Sequence, residues 1–169
     1  MRKSLIAALL LAAVGSNMAM ANDQFYAGAA VTRDDVRATQ AVEDHLGTGL
    51  KVYGGYRLND NFAVEAAYSE GRGLKVGEAD LIGRQLSASL VGNYPLGANV
   101  SAIGKVGLAH TYLDGTGFGT RKNDVVYGVG LEYAVNAKVS LRGEIERYED
   151  YARTGEALNQ VGVGAYYRF

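Results

Sequence analysis

The chain has 169 residues, with 23 glycines, 12 tyrosines, one proline, no cysteine and a formal charge of −1. This length suits one domain with a sizeable core. The lack of cysteine excludes a disulfide framework and a cysteine-ligated zinc site, and two histidines are too few for a histidine-rich metal cluster. Because there is also no basic footprint for nucleic acid, we expect no cofactor, no metal and no nucleic-acid partner.

The first 21 residues have the three parts of a secretory signal peptide. Arg2 and Lys3 form a positive n-region, residues 5–14 form an apolar segment, and Ala19-Met20-Ala21 is a small-x-small cleavage site. The apolar run is shorter than the roughly 20 residues that a membrane-spanning helix needs. We therefore expect cleavage after Ala21 and an exported mature domain of residues 22–169.

Eight runs of the mature chain alternate between apolar and polar residues, which is the pattern of β-strands with two different faces. Each run is near the ~9–11 residues of a tilted transmembrane strand. Short turns at one end and longer polar loops at the other predict an all-β fold, an eight-stranded antiparallel up-and-down transmembrane β-barrel. The predicted strands are 24–33, 48–58, 62–72, 84–95, 100–113, 124–135, 139–149 and 159–169. The predicted long loops are 34–47, 73–83, 114–123 and 150–158.

One face of these runs is apolar and carries aromatic residues at two levels. A soluble sandwich or a lipocalin-like barrel also alternates, so the period alone leaves the environment open. Two aromatic levels that flank an aliphatic band are the girdle pattern of a membrane barrel, which favours an apolar face turned outward to lipid. The level near the short turns contains Phe25, Tyr56, Phe62, Tyr94, Tyr133, Tyr167 and Phe169, and the level near the long loops contains Tyr68, Tyr112 and Tyr127.

Six short motifs recur in one order along the chain. They are Tyr26-Ala27-Gly28-Ala29, Gly54-Gly55-Tyr56-Arg57 followed by Phe62-x-Val64-Glu65, Tyr94-Pro95-Leu96, Leu131-Glu132-Tyr133-Ala134, Leu141-Arg142-Gly143-Glu144 and Tyr167-Arg168-Phe169. With these motifs the chain resembles, over essentially all of 22–169, the transmembrane domain of the outer membrane protein A (OmpA-like) group of eight-stranded barrels. Many of its members continue into a peptidoglycan-binding domain. This sequence stops at Phe169, so we do not expect the resemblance to carry over that attachment role.

The resemblance implies a location and a set of partners. The location is the bacterial outer membrane, where the barrel contacts membrane lipids and lipopolysaccharide. The terminal Phe169 is similar to the assembly signal that family members present to the barrel-insertion machinery. We expect a monomer.

Strand parity places nine charged residues on the face opposite the apolar one. An eight-stranded barrel is just wide enough for side chains to fill it, and an unpaired buried charge costs several kcal/mol. We therefore expect these groups to pair and to close the interior. The set contains Lys51, Arg57, Glu65, Lys105, Glu132, Arg142, Glu144, Glu146 and Arg168.

The resemblance implies a second role for part of this set. In the family, interior charges form a switchable ion-pair gate, and the matching positions here are Glu65, Glu132, Arg142 and Glu144. The family also uses a basic residue late in the fourth strand. That position is Val91 in this chain, and Lys105 on the neighbouring strand is the candidate substitute.

The sequence therefore predicts a structural or envelope-integrity barrel, extended to a narrow gated, porin-like pore if the charges switch, and no enzyme. Cationic neighbours favour the ionised forms of the interior carboxylates, which suits pairing rather than acid catalysis. A lipid A-modifying enzyme would use a His–Ser arrangement at the lipid face, but the sequence identifies no serine beside the outward His110. The alternative from another class is a surface barrel that binds host targets or mediates adhesion through its loops.

Overall fold

The computed structural model describes residues 23–36, 46–76, 79–115, 118–151 and 156–169, so the predicted signal peptide lies outside the described residues. Regular structure in these ranges is all β-strand. In the same ranges, no helix has the length and apolar character needed to cross a membrane. The strands are β1 (Phe25–Val36), β2 (Leu46–Arg57), β3 (Phe62–Val76), β4 (Ala79–Pro95), β5 (Val100–Gly115), β6 (Phe118–Ala134), β7 (Val139–Tyr151) and β8 (Glu156–Arg168).

The strands form one closed antiparallel barrel in sequence order, with β8 paired to β1. This confirms the predicted fold class. Two of the short turns are held by asparagine side chains that accept backbone hydrogen bonds, a common role of asparagine in turns. Asn59 Oδ1 accepts from the amide of Phe62 at 2.8 Å, and Asn136 Oδ1 accepts from the amide of Val139 at 2.8 Å.

The strands are longer at the opposite end than the sequence predicts. The pairing of β3 with β4 continues to Val76 and Ala79, and that of β5 with β6 continues to Gly115 and Phe118. The predicted loops 73–83 and 114–123 are therefore wrong over most of their length. An antiparallel hairpin satisfies its backbone groups even where the side-chain alternation has ended, so the ladder outlasts the sequence pattern.

Asp34, predicted to belong to the first long loop, also lies in a strand. It is a residue of β1 and only 5% exposed, and its Oδ1 accepts a hydrogen bond of 2.7 Å from Gln160 Nε2 of β8. The barrel interior thus extends further toward this end than the predicted strand boundaries allow.

The outer surface of the barrel is apolar along its length. Val129, Leu108 and Val163 are 66%, 65% and 68% exposed, and Tyr94 at the short-turn end is 69% exposed. A continuous apolar surface of this kind is not stable in water, so it faces lipid, as the strand parity predicts. The side chain of Tyr112, assigned to the second aromatic level, lies outside the described part of the structure.

Inside the barrel, large side chains lie opposite glycines of the adjacent strand. Tyr26 is paired with Gly55 and Tyr53 with Gly28 across β1 and β2. The same relation holds between β6 and β7, where Gly128 and Gly130 face Glu146 and Glu144. Because glycine has no side chain, each large group can lie flat over its neighbour's backbone. The narrow interior depends on this alternation of large and absent side chains.

Gly55→Ala should lower the free energy of unfolding by roughly 1–3 kcal/mol, the usual cost of overpacking. A Cβ at Gly55 would collide with the Tyr26 ring, whose hydroxyl is held by Glu65 at 2.8 Å. Urea unfolding of the refolded protein measures the effect. The matched control is Gly104→Ala, where an added Cβ meets nothing within 4 Å. Equal midpoints for the two variants would contradict this packing.

Candidate functional site

Seven charged side chains meet in the middle of the barrel, and we refer to them as the central cluster. They come from five strands, and none is more than 8% exposed. Charges buried this deeply are tolerated only when they pair with one another. The cluster consists of Lys51, Lys105 and Arg142 with Glu65, Glu132, Glu144 and Glu146.

Arg142 binds two carboxylates in different directions. Its Nη1 lies 2.5 Å from Glu65 Oε2, while its Nη2 and Nε lie 2.7 and 2.9 Å from Glu132 Oε1. Glu132 is the direct cross-strand neighbour of Arg142, so this pair is local. Glu65 is on β3, four strands away from β7 in a closed barrel of eight, and therefore on the opposite wall. One guanidinium thus joins both sides of the barrel through charge-assisted hydrogen bonds.

Three tyrosines surround the same guanidinium. The Arg142 Cζ atom lies 5.6, 4.8 and 5.2 Å from the ring centroids of Tyr26, Tyr53 and Tyr166. Each contact is within the range of cation–π attraction. The Tyr26 hydroxyl donates to Glu65 at 2.8 Å and the Tyr166 hydroxyl donates to Glu132 at 3.0 Å, so the rings also fix both carboxylates. Arg142 is held in one position by anions and rings together.

Sequence reasoning did not single out these tyrosines. The signal was present, because strand parity turns Tyr26 inward between the outward Phe25 and Ala27. Tyr53 and Tyr166 have the same parity as the charged residues of their strands. What the sequence could not provide is that the three rings converge on one cation, since they come from three strands.

The two lysines of the central cluster bridge the remaining carboxylates. Lys105 Nζ lies 2.8 Å from Glu65, 2.9 Å from Glu144 and 2.9 Å from Glu146. Lys51 Nζ lies 2.6 Å from both Glu144 and Glu146. Lys51 thus contacts two carboxylates and Lys105 contacts three.

Lys105 lies beside Val91, the position at which the family has a basic residue in the fourth strand. Val91 is the direct partner of Lys105 across β4 and β5 and is only 3% exposed. The lysine therefore reaches Glu65 from the strand next to the one that the resemblance indicates.

Two of the nine predicted interior charges lie apart from the central cluster. Arg57 Nη2 is 3.6 Å from Asp60 Oδ1, and Arg168 donates to the Tyr166 hydroxyl at 3.4 Å and to the Ala137 carbonyl at 3.5 Å. Both arginines line a cavity of about 160 Å³ at the short-turn end, which we call the short-turn cavity. They are charges at the end of the barrel and not members of the central pairing.

The C-terminal residue closes the barrel seam. The amide of Phe169 donates to the carbonyl of Phe25 at 3.0 Å, which continues the pairing of β8 with β1 by one residue. Its role as an assembly signal stays a prediction.

An apolar group lies beyond the central cluster, toward the long-connection end. Val126, Tyr148 and Leu158 are at most 1% exposed, and Ala109 packs with them. The Tyr148 hydroxyl donates to Glu146 at 3.2 Å, which ties this apolar layer to the charges below it. Toward this end the interior therefore combines an apolar group on β5–β8 with polar side chains such as Asp34 and Gln85 on the other strands.

Comparison with known proteins agrees with this architecture. Residues 5–169 match the family described as outer membrane protein beta-barrel domain. Neisserial surface protein A is 19% identical, with a TM-score of 0.67, over 86% of this chain and 97% of its own. The attachment invasion locus protein Ail of Yersinia pestis is 18% identical, with a TM-score of 0.59, over 86% and 97%.

The N-terminal β-barrel domain of Pseudomonas aeruginosa OprF is 16% identical, with a TM-score of 0.58, over 83% of this chain and 96% of its own. At such identities these similarities establish the fold alone. A search of curated proteins gives no match.

Lys105→Met should lower the free energy of unfolding by roughly 3–5 kcal/mol, because it leaves three buried carboxylates without their shared cation. Urea unfolding measures this loss. The matched control is Lys138→Met. Lys138 is exposed at a turn, and its Nζ lies 5.6 Å from the Tyr167 ring centroid. The control should change stability by about 1 kcal/mol or less. If both variants unfold at the same urea concentration, the lysine does not hold the central cluster together.

Proposed function

This chain belongs to the outer membrane protein β-barrel domain family, and we propose that it serves the bacterial outer membrane as a structural, envelope-integrity protein with a closed interior. The chain is a small outer membrane β-barrel, and its role there is inferred from what fills the barrel. The observation that carries the proposal is the pairing of Arg142 with Glu65 across the lumen.

A resting pore would need a continuous path for water, and the interior contacts oppose one. The central cluster joins the walls with contacts of 2.5 to 2.9 Å, and each of its residues is at most 8% exposed. Val126, Tyr148 and Leu158 pack beyond the central cluster on one side of the lumen. Conduction would require the central cluster to rearrange, which supports a structural role for the resting protein.

One observation favours a gated pore as an extension of this role. The short-turn cavity reaches Glu132 and Arg142 from one end of the barrel, so half of a path already exists. A gate would then consist of the central cluster and the apolar layer above it. Arg142 is enclosed by three rings, whereas each lysine has a flexible stem and contacts more than one carboxylate, so a gate would act through an exchange of lysine partners.

Adhesion through the surface connections and lipid A modification are the alternatives from other classes. Each of these functions depends on different residues from those of the structural role. Adhesion would depend on residues 37–45 and the hairpin ends, and lipid A chemistry would depend on a nucleophile and base at the lipid face. The structural role depends on the interior charges, which join strands of the barrel through their contacts.

We expect the refolded protein to give no lasting open current in planar bilayers. Arg142→Glu would place a third carboxylate beside Glu65 and Glu132, so it should either prevent folding or open the barrel to ions. The shift of the folded band on heating in gel electrophoresis separates these two results. Combining Arg142→Glu with Glu132→Arg restores an opposite-charge pair across β6 and β7 and should partly recover the folded, closed state.

Two results would contradict the proposal. One is a steady open current from the unaltered protein. The other is an Arg142→Glu variant whose conductance and heat-modifiability are those of the unaltered protein, because the charges would then not hold the barrel closed.

A further inference from the structure

The short-turn cavity has a chemistry that the closing of the barrel does not require. It has a volume of about 160 Å³ and opens between the short turns. Its polar lining comes from strands and turns and contains arginine, asparagine and serine, together with two acidic residues and two tyrosines. The residues that matter here are Arg57, Asn59, Asn93, Ser101, Ser140 and Arg168. We propose that this cavity binds a small oxyanion, of the carboxylate or phosphate class.

Arg57 and Arg168 are both weakly paired in the cavity. Within the described residues, Arg57 pairs with Asp60 alone, at 3.6 Å, and this aspartate is fully exposed, so the pair contributes little. In the same part of the chain, the contacts of Arg168 are to neutral oxygens, at 3.4 and 3.5 Å. Its Nε atom is buried and has no hydrogen-bond partner within the described residues. A buried charged donor without an acceptor is costly, and an anion in the cavity would supply the acceptor.

Glu132, one of the two acidic residues that line the cavity, already accepts hydrogen bonds from its neighbours. Glu132 accepts hydrogen bonds from Arg142 at 2.9 Å, from Asn93 at 3.1 Å and from Tyr166 at 3.0 Å. The charge of Arg142 is shared between Glu132 and Glu65. Three arginines and two acidic residues line the cavity, and this excess of one positive charge favours anions over cations.

Size and geometry narrow the class of ligand. A volume of about 160 Å³ is close to that of engineered cavities of about 150 Å³ that hold benzene, so a ligand of a few non-hydrogen atoms fits. The planar guanidinium group matches carboxylate and phosphate oxygens in a two-point contact. Amide and hydroxyl side chains such as Asn59, Ser101 and Ser140 add neutral donors around the same space.

The location of the opening indicates where the ligand comes from. Short turns face the periplasm in outer membrane barrels. The barrel wall separates the cavity from the surrounding lipid, so the anion is a soluble periplasmic one and not a lipid headgroup. Binding at this end leaves the contacts of Lys51 and Lys105 in place, so it does not require the central cluster to open.

Nuclear magnetic resonance of the refolded protein in micelles tests the site directly. Sodium acetate and sodium phosphate are titrated against sodium chloride at equal ionic strength, and the Arg168 Nε–H and Ser140 backbone amide signals are followed. We expect saturating shifts with acetate or phosphate and none with chloride. Arg57→Gln and Arg168→Gln should each weaken binding by about tenfold or more, the worth of one charge-assisted hydrogen bond.

The matched control is Arg147→Gln at the other end of the barrel, where the arginine is also weakly paired, 3.6 Å from Glu149. It should leave the affinity unchanged. If Arg168→Gln does not fold, Arg57→Gln decides, because the Arg57 side chain is 30% exposed and pairs with the exposed Asp60. Shifts that never saturate, that chloride reproduces, or that persist unweakened in the folded arginine variants would overturn the proposal.

Discussion

The contact between Glu65 and Arg142 is the constraint on which the rest of the barrel depends. It joins two strands on opposite walls at 2.5 Å, in a protein whose outer surface is apolar and whose centre is charged. Lipid supplies the environment for the aliphatic residues, so the interior cannot rely on a hydrophobic core alone. Paired charged side chains therefore fill the interior, as apolar side chains do in a soluble domain. Each charged residue of the central cluster needs a partner of opposite charge.

The neighbouring side chains follow from that constraint. Tyr26 and Tyr166 donate to the two carboxylates that bind Arg142, and together with Tyr53 they enclose its guanidinium. Rings of this size fit only because glycines such as Gly28 and Gly55 lie across from them. The lysines bridge what remains, and the apolar layer around Tyr148 covers the central cluster on one side. At the other side the short-turn cavity leaves Arg57 and Arg168 with room for an anion.

Strand parity predicts which face of the sheet each side chain is on. It does not predict which side chains from distant strands contact one another. Alternation predicts the eight strands and separates the apolar face from the face that carries every charge of the central cluster, because both depend on period two within one strand. The two aromatic levels then indicate which face meets lipid. Alternation did not predict that Arg168 lies apart from the central cluster, since that depends on height along the barrel. Asp34 was placed in a loop because the alternation fades there, while the backbone ladder continues.

A double-mutant cycle on Glu65 and Arg142 tests the central claim most directly. The free energy of unfolding in urea is measured for the unaltered protein, Glu65→Gln, Arg142→Met and the combination. Because the two residues are 77 positions apart in sequence and meet only across the lumen, coupling between them reports the closed interior. We expect a coupling of roughly 1–3 kcal/mol, as for residues in direct contact. Losses that add to within about 0.5 kcal/mol would show that the opposite walls are not joined through this pair.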